Sequence, residues 1–191
     1  MGQVYFGVDT CALPLPGVEQ SEPSSAPTGE RPDDLALFED VPQSLRERIA
    51  LMGGYGRDCN PSGAFRIPEP ERQIDPRTAK PRFRYWMKVP QRLPEDARLH
   101  ASAFAYLSDW WLNFCILAPH LRRAGERGMY ISSLNHALWL HQVPRADDWL
   151  HVEASSFHAG QGHGLAVARY HDQQGRHVAS ATQDCLVTDT D

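Results

Sequence analysis

The last third of the chain constrains its fold most. Residues 129–142, 149–157, 164–171 and 177–188 each read as a strand, and little chain separates them. Gln173-Gln174-Gly175 makes a tight hairpin between the last two. Within the first of them, SLNHALWLHQ (133–142), Leu134, Leu138 and Leu140 fall on one parity. Asn135, Ala137, Trp139 and His141 fall on the other, as in a half-buried strand. Strands joined by such short turns pair antiparallel.

Such a sheet needs something to bury its apolar face, and the preceding segment supplies it. FRYWMKV (83–89) has the aromatic and β-branched character of a further strand. Pro94 then predicts a helix start, with Glu95 and Asp96 in a first turn where carboxylates suit the helix dipole. Phe104, Leu107, Trp111 and Phe114 mark an apolar stripe running to about Pro119. Trp111 and Phe114 are therefore expected to be buried against the sheet. One strand, one long helix and four strands is an α+β pattern. Five antiparallel strands wrapping one central helix is the hotdog arrangement, expected over residues 81–189.

The chain before it is of another kind. Val4, Phe6 and Val8 alternate with polar and small neighbours, so residues 1–12 predict a stray strand that needs a sheet to join. From 13 to 80 prolines recur among Ser, Gly and Glu, as in a linker or meandering surface segment. Only a short helix over 40–52, closed by Gly53-Gly54, interrupts it, and 53–80 shows no periodicity. At 191 residues, 41% hydrophobic and 23% charged, the whole is an ordinary globular chain. A formal net charge of −5 and the absence of any basic run exclude a nucleic-acid partner. No apolar stretch is long enough for a membrane span. The first residues, MGQVYFGVDTC, lack the pattern of a signal peptide, and CLVTDTD at the other end carries no peroxisomal Ser-Lys-Leu. Cys11, Cys59, Cys115 and Cys185 are widely spaced and read as reduced thiols in a cytoplasmic compartment.

Few residues carry chemistry. His136 and His141 sit five apart on one strand and so point to opposite faces, which speaks against a shared metal. His158 and His163 flank a turn-like Ala-Gly-Gln-Gly. No G-x-S-x-G elbow is present, and GQGHG (160–164) lacks the Lys and the helix of a phosphate loop. No cofactor is implied. What remains is Asn135, Ser155 with Ser156, and Gln183, each on a different predicted strand of one sheet. Amides and hydroxyls brought together can hold a water and polarise a carbonyl. Polar residues at strand ends are the bland alternative.

The motifs RLHASAFAYLSDWW, SLNHALWLHQ, DDWLHVEASS and GRHVASATQDCLV, in this order and spacing, resemble the acyl-CoA thioesterase II family of tandem hotdog enzymes. The resemblance covers the second repeat, from about Phe83 to Val187, and GQVYFGVDT resembles the end of the first. It implies hydrolysis of fatty acyl-CoA to free acid and CoA without a covalent intermediate, and a homodimer or pairing with another hotdog repeat. It also implies a site of an Asp, a Thr or Ser, and a Gln holding the attacking water. Gln183 matches the Gln, and Ser155 matches the hydroxyl, with Ser156 as a register alternative. At the Asp position stands Asn135, whose neutral amide can bond a water but cannot take its proton. His136 next door is expected on the other strand face. The alternative readings are an acyl-CoA-binding or scaffold hotdog without hydrolysis, or an enzyme recruited to other acyl or polyketide chemistry. The resemblance leaves a peroxisomal location open as well.

Overall fold

The computed structural model describes residues 47, 63–75, 77, 79–121 and 128–189. The expected stray strand at 1–12 and the short helix over 40–52 lie outside the described residues, apart from Glu47. In chain order the elements are β1 (Ala64–Arg66), α1 (Pro70–Ile74), β2 (Arg82–Lys88), α2 (Ala97–Ser108), α3 (Phe114–Leu117), β3 (Met129–Leu140), β4 (Leu150–Gly160), β5 (His163–His171) and β6 (His177–Asp189). The strands form one antiparallel sheet in the order β1-β2-β4-β5-β6-β3.

The four carboxy-terminal strands fall within a few residues of their expected bounds. β1 is an addition. It is three residues long, too short for alternation to register, and it extends the expected five-stranded sheet to six by pairing with β2. The turns between the long strands follow from their sequences. Gln161 and Gly162 both have positive φ (53° and 81°), as a two-residue turn between Gly160 and His163 requires. At the β5–β6 turn the Asp172 carboxylate accepts from the backbone N–H groups of Gln174 and Arg176, and Gly175 takes φ 78°.

The central helix is not the single run that the apolar stripe suggested. Pro94 lies ahead of it; α2 begins at Ala97, capped by the Asp96 carboxylate, which accepts from Arg98 N at 2.8 Å. It stops at Ser108, and a second short turn, α3, resumes at Phe114. Between them Trp111 adopts φ 65°, a left-handed conformation unusual for so bulky a residue. The stripe is buried nonetheless, with Phe104, Leu107, Trp111 and Phe114 each at most 3% exposed. Trp111 and Phe114 close an aromatic cluster with Phe83, whose ring lies 4.9 Å from that of Phe114. Opposite α2 the sheet presents Ala154, Ala166, Ala168, Ala179 and Ala181, all buried. Methyl groups there leave room for the large side chains of the helix.

Candidate active site

Directly opposed residues of an antiparallel pair share a sheet face, so the register assigns each polar side chain. The row Ser156–Ala166–Gln183–His136 runs across β4, β5, β6 and β3. Gln183 and Ala166 are fully buried, which puts this row on the helix-facing side. The row Ser155–Val167–Thr182–Ala137 lies on the outer side, as does Asn135, which pairs with Asp184.

The structure therefore does not bring Asn135, Ser155 and Gln183 together. Asn135 is exposed and Ser155 half-buried, both on the outer face, while Gln183 lies beneath the helix. Ser156 shares the face of Gln183 but sits two strands away, roughly 10 Å at ordinary strand spacing, and its hydroxyl donates to His158 O. The expectation that His136 points away is corrected as well: it stands opposite Gln183. The physical reason is a β-bulge between Ser133 and Asn135, which leaves Leu134 without a register partner and reverses the parity of everything after it.

What surrounds Gln183 comes partly from elsewhere in the chain. Its Nε2 donates to Ser133 Oγ at 2.8 Å and, in a still shorter contact, to Asp109 Oδ1. The Ser133 hydroxyl also donates to Asp109 Oδ1 at 3.4 Å. Gln183 Oε1 is buried and finds no hydrogen-bond partner among the described residues. Beside this group, Ser108 Oγ donates to Ala105 O at 2.9 Å and lies 2.9 Å from His136 Nε2. With the hydroxyl proton used on Ala105, Nε2 carries the imidazole hydrogen, and Nδ1 is left as an acceptor without a partner among the described residues. Burial lowers the pKa of His136, opposed in part by the Asp109 carboxylate, so the ring is neutral near pH 7.

Asp109 occupies the break between α2 and α3, and buried tyrosines fix the chain on either side of it. Tyr170 OH donates to Ser108 O at 3.0 Å, and Tyr85 OH donates to Trp110 O at 2.7 Å. Carbonyls at the end of a helix need such partners, and these two come from β5 and β2. Burial pushes the Cys185 thiol, opposite Ser133 on β6, up to about 12, with Asp109 and Asp184 adding to the shift. It is a protonated thiol and no nucleophile. Sequence reasoning missed Asp109 and Ser133. The available signal was a lone carboxylate, Asp109, inside the apolar run LSDWWLNF. Among the described residues no three His, Cys, Asp or Glu side chains converge as a metal site would require.

A curled antiparallel sheet wrapped on a helix, with a polar group at the helix break, defines a hotdog domain, and comparison with known proteins agrees. The family model for the acyl-CoA thioesterase C-terminal domain matches residues 27–187, and the chain belongs to that family. It is 27% identical over 182 residues to acyl-coenzyme A thioesterase 8 of Homo sapiens, covering 88% of this chain and 56% of that protein. Acyl-CoA thioesterase 2 of Haemophilus influenzae is 30% identical over 103 residues, covering 53% of this chain and 36% of that protein. The crystal structure of an acyl-CoA thioesterase II, TesB2, from Mycobacterium marinum superposes with a TM-score of 0.64 at 29% identity. That match covers 90% of this chain and 58% of the other. A hot dog fold protein of Alicyclobacillus acidocaldarius, 14% identical with a TM-score of 0.62, shares the fold, over 90% of this chain and 58% of its own. The chain spans about half the length of the thioesterases it matches.

Proposed function

We propose that the protein hydrolyses acyl-CoA thioesters to the free acid and CoA. One observation carries this reading: a buried glutamine, Gln183, is held by a hydroxyl and a carboxylate at the end of the hotdog helix. An amide fixed in this way donates both its hydrogens to Ser133 and Asp109 and turns its oxygen out to accept from a water, which it can orient with no reorganisation at the moment of reaction. Family membership supplies the substrate class. Of the residues singled out from sequence, Gln183 is central to the proposal, with Ser133 as its hydroxyl partner. Asn135 and Ser155, on the outer face, stay outside this reading.

The partner proposed is a second hotdog, either another copy of this chain or a separate repeat. β3 lies at the sheet edge, next to the site, and Tyr130, Leu134, Trp139 and Leu140 along it are exposed. Long apolar edges of this kind are ordinarily covered. A reducing, cytoplasmic compartment suits the free thiols of Cys115 and Cys185. Among the described residues no helix is long and apolar enough to cross a membrane.

The test is release of free thiol from acyl-CoA substrates of increasing chain length. Turnover that falls sharply in Gln183→Ala supports the proposal. Tight binding of acyl-CoA with no turnover at any length favours the non-hydrolytic alternative, and neither binding nor turnover refutes the assignment.

A further inference from the structure

Away from the proposed site, four imidazoles stand in a row across the sheet. His151 on β4, His171 on β5 and His177 on β6 are directly opposed in the ladder. His151 lies four residues from Ser155 on an unbroken run of pairs, so the row is on the outer face, away from α2 and Gln183. His141, just past the end of β3, continues it, with its ring centroid 4.6 Å from that of His177. We propose that His141 and His177 are the chelating pair of a binding site for a divalent transition ion of the zinc type, with the Ser180 hydroxyl as a third donor.

The geometry carries this. Both rings aim the same nitrogen at one oxygen: Ser180 Oγ lies 2.9 Å from His141 Nε2 and 3.1 Å from His177 Nε2. A hydroxyl has one hydrogen and can give it to only one of the rings, so the other ring donates its own Nε2–H to Oγ. An ion at the point of convergence replaces this arrangement. The donating ring moves its hydrogen to Nδ1, and both neutral imidazoles then offer an Nε2 lone pair, as metal ligation requires. The backbone holds the donors in place. His141 N donates to Val178 O at 2.9 Å although the residue lies beyond β3, and Ser180 is paired with Trp139 in the ladder. His141 is exposed and His177 half-buried, so an ion can reach them from solvent. Behind them His171 is fully buried, with neither ring nitrogen hydrogen-bonded among the described residues. Hydrogen bonding within the fold therefore does not account for the row.

The donor set selects the ion. Imidazole nitrogen suits zinc, copper and nickel, whereas magnesium and calcium require oxygen. Two imidazoles and a hydroxyl leave the remaining positions to water. That makes an open, exchangeable site, short of the three or more His, Cys, Asp or Glu side chains of a closed structural cage. Arg169, whose positive charge reaches His171 and His177, is engaged by Glu153 at 3.2 Å. The bound ion would tie the end of β3, the edge strand of the described sheet, to β6. His177 lies six residues from Gln183 along β6, roughly 20 Å at ordinary strand rise. The effect of the ion is therefore on the hold of the edge strand, and it is independent of the hydrolysis reading.

The test is titration of the full chain with zinc ion near neutral pH, read by calorimetry and by thermal unfolding with and without EDTA. It compares wild type with His141→Ala, His177→Gln and a control, His158→Ala, at the far end of β4. Wild type should bind one equivalent of zinc. Its Tm should rise by about 5–10 °C at zinc a hundredfold above the Kd. Each pair variant should bind at least about tenfold more weakly, since even a partner one step removed from the metal is worth about 10–100-fold in affinity. His158→Ala should keep the wild-type affinity, and magnesium should shift none of the four proteins. Because His141 is exposed, His141→Ala should unfold like wild type in EDTA, which separates loss of the ligand from loss of the fold. Zinc that binds both pair variants as tightly as wild type overturns the inference. So does a wild type that zinc neither binds nor stabilises.

Discussion

His136 stands directly opposite Gln183 across the β3–β6 ladder, while its neighbour Asn135 stands opposite Asp184 on the other face. The pairing decides which of the two adjacent residues shares the proposed site, and it makes both of them testable.

Asn135→Asp is expected to leave acyl-CoA hydrolysis within about twofold of wild type. Its measurable effect should be on stability, because the new carboxylate sits opposite Asp184. Like charges directly opposed on a sheet cost roughly 0.2–1 kcal/mol. Chemical denaturation at low and high salt should show a small loss that salt diminishes. A tenfold or greater rise in turnover would instead place Asn135 beside Gln183.

His151 and His171 give the domain an acid limit. Burial, followed by the neighbouring positive charges, lowers His151 to about 3 and His171 to about 4, against an ordinary value of 6.5. Both are fully buried, and their ring nitrogens have no hydrogen-bond partner among the described residues. The unfolded chain therefore binds more protons than the folded one below about pH 6.5. Stability is full above that pH and is lost as pH falls toward 4, at up to about 1.4 kcal/mol per pH unit for each histidine. The urea midpoint should decline steadily from pH 7 to pH 5, and less steeply in His171→Leu. A midpoint flat over that range would mean that the two rings are solvated.

Gly164 is where the sheet meets α3. A Cβ there would lie 2.4 Å from Ile116 Cγ2, although the backbone needs no special φ. Gly164→Ala should cost about 1–3 kcal/mol by overpacking. Much of the loss should be recovered in the Gly164→Ala, Ile116→Val pair, as read from a double-mutant cycle. Equal losses with and without the Ile116 change would rule out that contact as the cause.

Trp111→Ala removes a side chain that is 3% exposed and packs on Phe83, Phe65 and Phe114. The expected loss is about 3–5 kcal/mol in urea. Trp111→Gly should be less damaging than its smaller side chain suggests, because glycine accepts the positive φ without strain. If Gly proves worse than Ala by the ordinary helix-propensity difference, the backbone there is not left-handed.

The exposed apolar side chains of β3, the edge strand of the described sheet, predict self-association. Multi-angle light scattering at micromolar concentration should report a dimer, and Trp139→Glu should shift it toward monomer. A folded, fully active monomer would end the proposal of a second hotdog as partner.

The sheet was largely legible because β3 to β6 are long, alternate in polarity and are joined by turns with recognisable residues. β1 was not, since three residues carry no period. The helix was legible as an apolar stripe but not as two pieces: Phe104, Leu107, Trp111 and Phe114 keep helical spacing whether or not the chain is helical between them. Nothing in DWWLN announces a left-handed tryptophan, and Asp109 at that break was missed with it. Gln183 was singled out by resemblance, whereas its carboxylate partner comes from 74 residues away through the tertiary fold. Parity reasoning put Asn135 and His136 on the wrong sides because it assumed an unbroken ladder. β3 is an edge strand with much of both faces wet, so its alternation is too weak to reveal an extra residue.

That extra residue acts as a phase slip. Upstream of Leu134 the strand keeps one beat against β6, and downstream it keeps the other. Excising Leu134 would therefore cost no partner: Ser133 would still face Cys185, Asn135 would face Asp184, and the imidazole would remain locked in step with the glutamine. Keeping Leu134 but drawing it into the ladder would do the reverse, advancing the amide into the place of the imidazole. Because β3 has a neighbour on one side only among the described residues, neither phase disturbs a second described strand. A single dipeptide in this chain thus holds two chemistries, and whether Leu134 is bulged out of the ladder or paired within it selects between them.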